Sequence, residues 1–398
     1  MEHKYKYGFA TRQIHAGHDK NTYGALCPPI YQTSTFAFGS VEEGGDRFGG
    51  AKSGFIYTRL GNPTNELLEK KIASLENGEA AAVTASGMGA ISTAIWSLIK
   101  SGEHILADET LYGCTFDLIQ HGLRNFGVEA DMIDFSDIEK VKQSIRPNTG
   151  IVYFETPCNP TLKIIDIKEV TEAVRSIKKD IIIIVDNTFA TPYLQRPLEM
   201  GVDIVVHSAT KYLNGHGDVI AGAIIGSEEI ISQCKKHGIK DMTGAVLSPF
   251  DAFLINRGLK TLDIRMEKHC RNAQKLAEFL HGHPAVKKVY YPGLPDFSGH
   301  ETAAKQMKGF GGMISIELNA DKKRTAACIN ALKLVAIAVS LGDAETLVEH
   351  PASMTHNAYS KEELEAAGIS EGLVRISVGL EDIEDIIEAF REGLDELI

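Results

Sequence analysis

The sequence holds 398 residues, 43% hydrophobic and 24% charged, a globular composition that excludes disorder and is long enough for two or three packed units. Lys and Arg total 41 against 53 Asp and Glu, and the net charge of −12 argues against nucleic acid or an anionic membrane surface as a partner. No apolar run reaches the roughly 18 residues of a membrane span, and residues 1–9 lack the apolar stretch of a signal peptide.

In chain order, residues 1–62 read as an irregular arm. Gly17, Gly24, Pro28-Pro29, Gly44-Gly45 and Gly49-Gly50 break it repeatedly, yet Tyr23, Tyr31, Phe36, Phe38, Phe48, Phe55 and Tyr57 make it too aromatic for a disordered tail. Such a segment must pack on something else, and a neighbouring subunit is the natural candidate. Asn62-Pro63 then opens a helix over 63–77 that Gly78 stops. Short apolar runs follow at 80–84, 104–107, 128–133, 151–154, 181–185, 204–206 and 219–225, alternating with helical stretches. Several are apolar at every position, as strands buried on both faces are, so residues 63–248 predict an α/β domain around a mainly parallel seven-stranded sheet. From 249 the texture changes. A helical stretch over 249–280, with a break near Gly258, precedes strands at 286–291, 312–318, 335–339 and 373–378, which predicts a smaller α+β domain over 249–398.

Cys27, Cys114, Cys158, Cys234, Cys270 and Cys328 are scattered without a C-x-x-C pair, so reduced thiols and a cytoplasmic setting are expected. The histidines form no H-E-x-x-H pattern, and His281 and His283 around Gly282 read as a helix end; no metal is expected.

Three segments carry chemistry. Thr84-Ala-Ser86-Gly87-Met88-Gly89-Ala90 joins a strand to a helix, and small residues there can offer backbone N–H groups to an anion, although any tight strand–helix turn has this composition. Asp186 ends a run of four isoleucines, where a carboxylate needs a cationic partner or caps the next helix. Lys211 follows the strand at 204–206 between the hydroxyls of Ser208 and Thr210. Burial there would leave its amine unprotonated and able to attack an aldehyde, while the spacing alone leaves a surface lysine equally open.

The segment around Lys211 resembles the cofactor-lysine signature of the Cys/Met-metabolism enzymes that depend on pyridoxal 5′-phosphate (PLP). Further matching stretches are Tyr57-Thr58-Arg59-Leu60-Gly61-Asn62-Pro63-Thr64, Glu155-Thr156-Pro157, Asp186-Asn187-Thr188-Phe189 and Arg375-Ile376-Ser377-Val378-Gly379, so the resemblance spans nearly the whole chain. It implies an aspartate-aminotransferase-like PLP-dependent transferase fold and a homotetramer of two close dimers with shared active sites. It also implies roles. Lys211 would hold PLP and move protons, Asp186 would pair with the ring nitrogen, and Tyr112 would stack on the ring and act as an acid or base. Gly87, Met88, Ser208 and Thr210 would hold the phosphate, with Tyr57 and Arg59 reaching it from the neighbouring subunit. Asn159 would contact the ring oxygen, and Arg375 the substrate carboxylate.

Within the family, Leu111-Tyr112-Gly113-Cys114-Thr115 places a thiol two residues beyond Tyr112, which resembles the members that cleave methionine; a small buried hydrophobe is the plainer reading of Cys114. In Ala338-Val339-Ser340-Leu341-Gly342-Asp343, Val339 stands where cystathionine lyases carry an acidic residue, and with Ser340 it would face the substrate. Residues 238–244 resemble the methionine-cleaving members too. The resemblance therefore implies α,γ-elimination of L-methionine, extending to homocysteine. Cleavage of cystathionine or sulfhydrylation of an O-acylated homoserine are the nearer alternatives, and a non-catalytic scaffold is the distant one.

Overall fold

The computed structural model describes residues 6–18, 21–355, 357 and 369–398; residues 1–5 of the polar N-terminal stretch lie outside them. The large sheet has seven strands: β1 (Ala80–Thr84), β2 (His104–Asp108), β3 (Glu129–Ile133), β4 (Thr149–Glu155), β5 (Ile182–Asp186), β6 (Ile204–Ser208) and β7 (Gly222–Gly226). Their order is β1-β7-β6-β5-β4-β2-β3. Strands β2 to β6 pair in parallel, whereas β7 runs antiparallel to both β1 and β6. The reversal has a local cause. No helix lies between β6 and β7, so the chain returns directly instead of crossing over. Lys211 sits in that return.

The apolar strands bury both faces. In β5, Ile183 and Val185 join the core on one side of the sheet and Ile184 the core on the other; in β6, Val205 faces the first core and Ile204 and Val206 the second. This alternation places Asp186 and Ser208 at the carboxyl ends of adjacent parallel strands, where open α/β sheets bind their ligands.

The helix at Pro63–Glu76 starts on the Asn62 side chain, which accepts from the Thr64 N–H, and stops at Asn77 in the left-handed conformation (φ 59°). The helical stretch after 248 is two helices, Pro249–Leu259 and Leu262–His281, broken at Lys260 and Thr261. The second bridges two cores: Leu262 and Met266 pack with the large sheet, while Ala273, Leu276, Ala277 and Leu280 pack with the smaller one.

That smaller sheet has five strands: β8 (Val286–Tyr290), β9 (Met313–Leu318), β10 (Ala336–Ile337), β11 (Leu347–Glu349) and β12 (Leu373–Ser377), in the order β10-β11-β12-β9-β8. The strand expected over 335–339 is only two residues long, and β11 was not foreseen. Beyond Ile337 the chain leaves the sheet because its next groups are engaged in the site: the Val339 and Ser340 carbonyls accept from Arg375, and the Ser340 hydroxyl from Lys211. Among its described residues the arm has two short helices, Phe9–His15 and Val41–Phe48, and an isolated bridge between Thr35 and Tyr57. Among the described residues no helix is long and apolar enough to cross a membrane.

Candidate active site

The site begins at the ends of β4, β5 and β6. Asp186 is half-buried; its Oδ1 accepts the Thr188 N–H at 2.9 Å, and Thr188 Oγ1 accepts the Ser208 N–H at 2.8 Å. Asp186 does not cap the following helix, whose first turn starts after Ala190. Burial pushes its carboxyl upward, and the Thr188 bonds and nearby His207 oppose this. Glu155 lies opposite Asp186 in the β4–β5 register, and its Oε1 has no hydrogen-bond partner among the described residues. Burial, then the charge of Asp186, pushes Glu155 well above the carboxylate range. Two neighbouring carboxyls, one buried and one half-buried, favour a cationic group beside them. On the far side of β6, His207 Nε2 lies 2.6 Å from Glu76 Oε1, which also accepts from Asn187 Nδ2 at 3.0 Å.

Lys211 lies in the β6–β7 return, and its backbone N–H donates to the Ser208 carbonyl at 3.2 Å. Its amine donates to Ser340 Oγ at 3.1 Å. Burial, then the Arg375 charge, lowers its pKa, with Asp343 and Glu349 opposing. It is therefore no ordinary surface lysine. Gly342, at φ 78°, lets the 338–343 loop close over it: a Cβ at 342 would stand 2.6 Å from the Tyr212 nitrogen. Arg375 on β12 completes the cluster. Its Nη1 donates to Asn159 Oδ1 at 3.0 Å, and its Nη2 to the Val339 and Ser340 carbonyls at 3.3 Å each and to Glu349 Oε2 at 2.5 Å. The Val339 side chain is 57% exposed at the mouth.

A cradle for an anion adjoins Lys211. Ser86 caps the helix Gly87–Leu98 by accepting the Gly89 N–H at 2.9 Å. A Cβ at Gly87 would lie 2.9 Å from Ser208 Cβ, so only glycine lets this helix start meet the Ser208 hydroxyl. Met88 Sδ takes a long contact from Thr115 Oγ1 at 3.9 Å. The Thr210 hydroxyl both donates to the Ala221 carbonyl and accepts from its N–H, pinning the start of the return. At the mouth, Cys114 Sγ lies 3.5 Å from Tyr112 Oη. That contact, then burial, pushes the Tyr112 hydroxyl up to about 12. Cys114 is exposed, which removes the reading of it as a buried space-filler.

Tyr57 and Arg59 stand apart. The Arg59 guanidinium lies 5.8 Å from the Tyr57 ring, and its Nη1 donates to the Lys240 carbonyl at 2.5 Å. Among the described residues of one chain, neither makes a hydrogen bond or ion pair with Lys211, Asp186 or Arg375. No group of three or more His, Cys, Asp or Glu among the described residues could hold a metal ion. The site does fit PLP: a half-buried carboxylate with acceptor capacity for a ring N–H, a glycine cradle at a helix start for a phosphate, and a desolvated lysine that follows Ser208 of that cradle. Sequence reading missed Glu76, His207 and Glu349, and Asp343 lay in the quoted 338–343 stretch without a role. Glu155 lay inside a matching stretch but had received no role.

The chain matches the family model described as Cys/Met metabolism PLP-dependent enzyme over residues 10–395. It is 57% identical over 397 residues to an L-methionine gamma-lyase of Fusobacterium nucleatum subsp. polymorphum, covering 100% of both chains. It is 44% identical to a cystathionine beta-lyase of Coxiella burnetii, covering 94% of this chain and 95% of that one. The crystal structure of metB from Corynebacterium glutamicum superposes with a TM-score of 0.91 at 41% identity, covering 99% of each chain.

Proposed function

The chain belongs to the Cys/Met-metabolism family of PLP-dependent enzymes, and on that premise we propose that it splits L-methionine, with water, into methanethiol, 2-oxobutanoate and ammonia. The observation that carries the choice of substrate is the mouth of the site. Tyr112 meets a sulfur rather than a carboxylate, and Val339 presents an uncharged wall where a second amino-acid end would need a counter-ion. Full-length identity to the Fusobacterium lyase, well above that to the Coxiella cystathionine lyase, supports the same choice. Homocysteine differs from methionine only by the S-methyl group, worth about 1–3 kcal/mol of discrimination, so it is a second substrate.

Asp186, Lys211, Gly87, Met88, Ser208, Thr210 and Asn159 would hold the cofactor. Bound PLP supplies a ring that takes up the electron pair left when a proton departs beside the amino group. Asp186, held by Thr188, keeps a negative charge where the ring nitrogen needs its proton. Arg375 receives the substrate carboxylate and Asn159 steadies the guanidinium. Lys211 Nζ, desolvated and oriented by Ser340, would take the α-proton. Tyr112, its proton held into the alkaline range, donates to the departing sulfur.

The working unit proposed is a homotetramer of two close dimers, in a reducing cytoplasm consistent with six free thiols. Within one chain the arm leaves Tyr23 93%, Leu26 90% and Val41 88% exposed, which supports a neighbour as its packing partner. Tyr57 and Arg59 would then reach the neighbour's phosphate cradle. Residues 1–62, 63–248 and 249–398 act as arm, cofactor-binding domain and C-terminal domain. The test is release of methanethiol together with 2-oxobutanoate from L-methionine by the PLP-loaded protein. Lys211→Ala should bind PLP without turnover. Turnover surviving in Lys211→Ala would contradict the assignment.

A further inference from the structure

We infer that Glu349 is a positioning residue that sets how tightly Arg375 holds the substrate's carboxylate, by competing for the same guanidinium. The inference rests on the reading of Arg375 given above. Sheet register brings the two together: Glu349 on β11 is the direct cross-strand partner of Arg375 on β12. Their side chains are 4% and 8% exposed, and Glu349 Oε2 lies 2.5 Å from Arg375 Nη2. The other oxygen, Oε1, accepts the Thr355 hydroxyl at 2.8 Å, which turns Oε2 toward the arginine. Among the described residues Arg375 Nη2 otherwise has only two long bonds to carbonyls, so Glu349 is its dominant acceptor there.

An arriving carboxylate must therefore share an arginine that already has an anion. That arrangement has a use. Substrate and 2-oxo acid product carry the same carboxylate, and gripping both equally tightly lowers KM without speeding bond cleavage. Glu349 weakens both grips, so the product can leave. In the empty site it also neutralises a buried guanidinium that would otherwise be costly to desolvate. Its charge reaches further: at both Lys211 and Tyr112, Glu349 opposes the effect of Arg375.

The experiment compares wild-type holoenzyme with Glu349→Gln and Glu349→Asp. Gln keeps the shape and removes the charge; Asp keeps the charge and draws it back from Nη2. KM for L-methionine should fall in the order wild type, Asp, Gln, with a decrease on the order of three- to tenfold for Gln. The inhibition constant of 3-(methylthio)propanoate, which offers the carboxylate without the amine, should fall in parallel. The acid limb of the Glu349→Gln pH profile should move to lower pH, because Lys211 loses an anion that favours its protonated form. A purely structural Glu349 would instead lower stability and leave or raise both constants, and either result overturns the inference. If Glu349→Gln fails to load PLP, the Asp variant alone decides by the same direction of change. Arg375→Gln separates the two claims. Should it leave KM unchanged, the carboxylate-binding reading falls and the inference with it; should it raise KM while the Glu349 variants match wild type, only the inference falls.

Discussion

Replacing Gly87 with Ala separates a phosphate cradle from an ordinary tight turn. The added Cβ would sit 2.9 Å from Ser208 Cβ and 3.1 Å from both Ser208 Cα and Oγ, closer than a packed Cβ tolerates, with backbone on one side that cannot swing away. Overpacking of this kind costs about 1–3 kcal/mol. Gly87 opens a helix, where Ala recovers roughly 0.5–1 kcal/mol, so stability should drop by only about 0–2.5 kcal/mol. Cofactor affinity should change much more. Prising the helix start from Ser208 removes at least one charge-assisted hydrogen bond to a phosphate, worth about 1.5–3 kcal/mol, which is roughly 10- to 150-fold in Kd. Gly309→Ala is the matched control. Its Cβ would stand 3.3 Å from Leu194 Cδ2 and 3.5 Å from Cys270 Sγ, a tight fit that involves none of the cradle residues. Absorbance titration of the apoprotein with PLP gives Kd, and thermal melts of the apoprotein give stability. Gly87→Ala with wild-type affinity, or an affinity loss no larger than in Gly309→Ala, would refute the cradle.

Tyr112 keeps its proton up to about 12 chiefly through its contact with Cys114, against an ordinary value of 10.0. Cys114→Ala should therefore move the alkaline limb of kcat to lower pH while PLP binding is retained; an unshifted limb would count against Tyr112 as the donor to sulfur. Val339→Glu should raise kcat/KM for cystathionine by only about two- to fivefold, because position 339 is more than half exposed and a new ion pair there is screened. Refolding Lys211→Ala and Arg59→Ala chains together should restore about a quarter of wild-type activity. Half of randomly paired dimers are mixed, and each mixed dimer carries one intact site if Arg59 serves its neighbour. Mixed dimers that load PLP and stay inactive would place Arg59 with its own chain.

Much of this was legible in the chain alone, for physical reasons that differ by element. Strands buried on both faces leave unbroken apolar runs, so all seven strands of the large sheet could be read, from 80–84 to 219–225. Their direction could not: the reversal of β7 depends on the return through Lys211 holding no crossover helix, which composition does not announce. β11 escaped because three residues pair between loops, too few for periodicity to register. Asp186 and Lys211 were visible because charged groups beside apolar strands are costly without a purpose, whereas Arg375 came only with the family resemblance. Glu349 was not, since its meaning comes from the strand opposite. Glu76 and His207 meet across 131 residues, a pairing that only the packed helix and sheet create.

The central claim is a lyase whose mouth suits an uncharged thioether. The most direct measurement is the ratio of kcat/KM for L-methionine to that for L,L-cystathionine, from 2-oxobutanoate release by one preparation of the PLP-loaded enzyme. The exposed, uncharged Val339 and the contact of Tyr112 with Cys114 predict a ratio above one. Efficient turnover of cystathionine with methionine left intact would contradict the claim while leaving the family and the cofactor site in place.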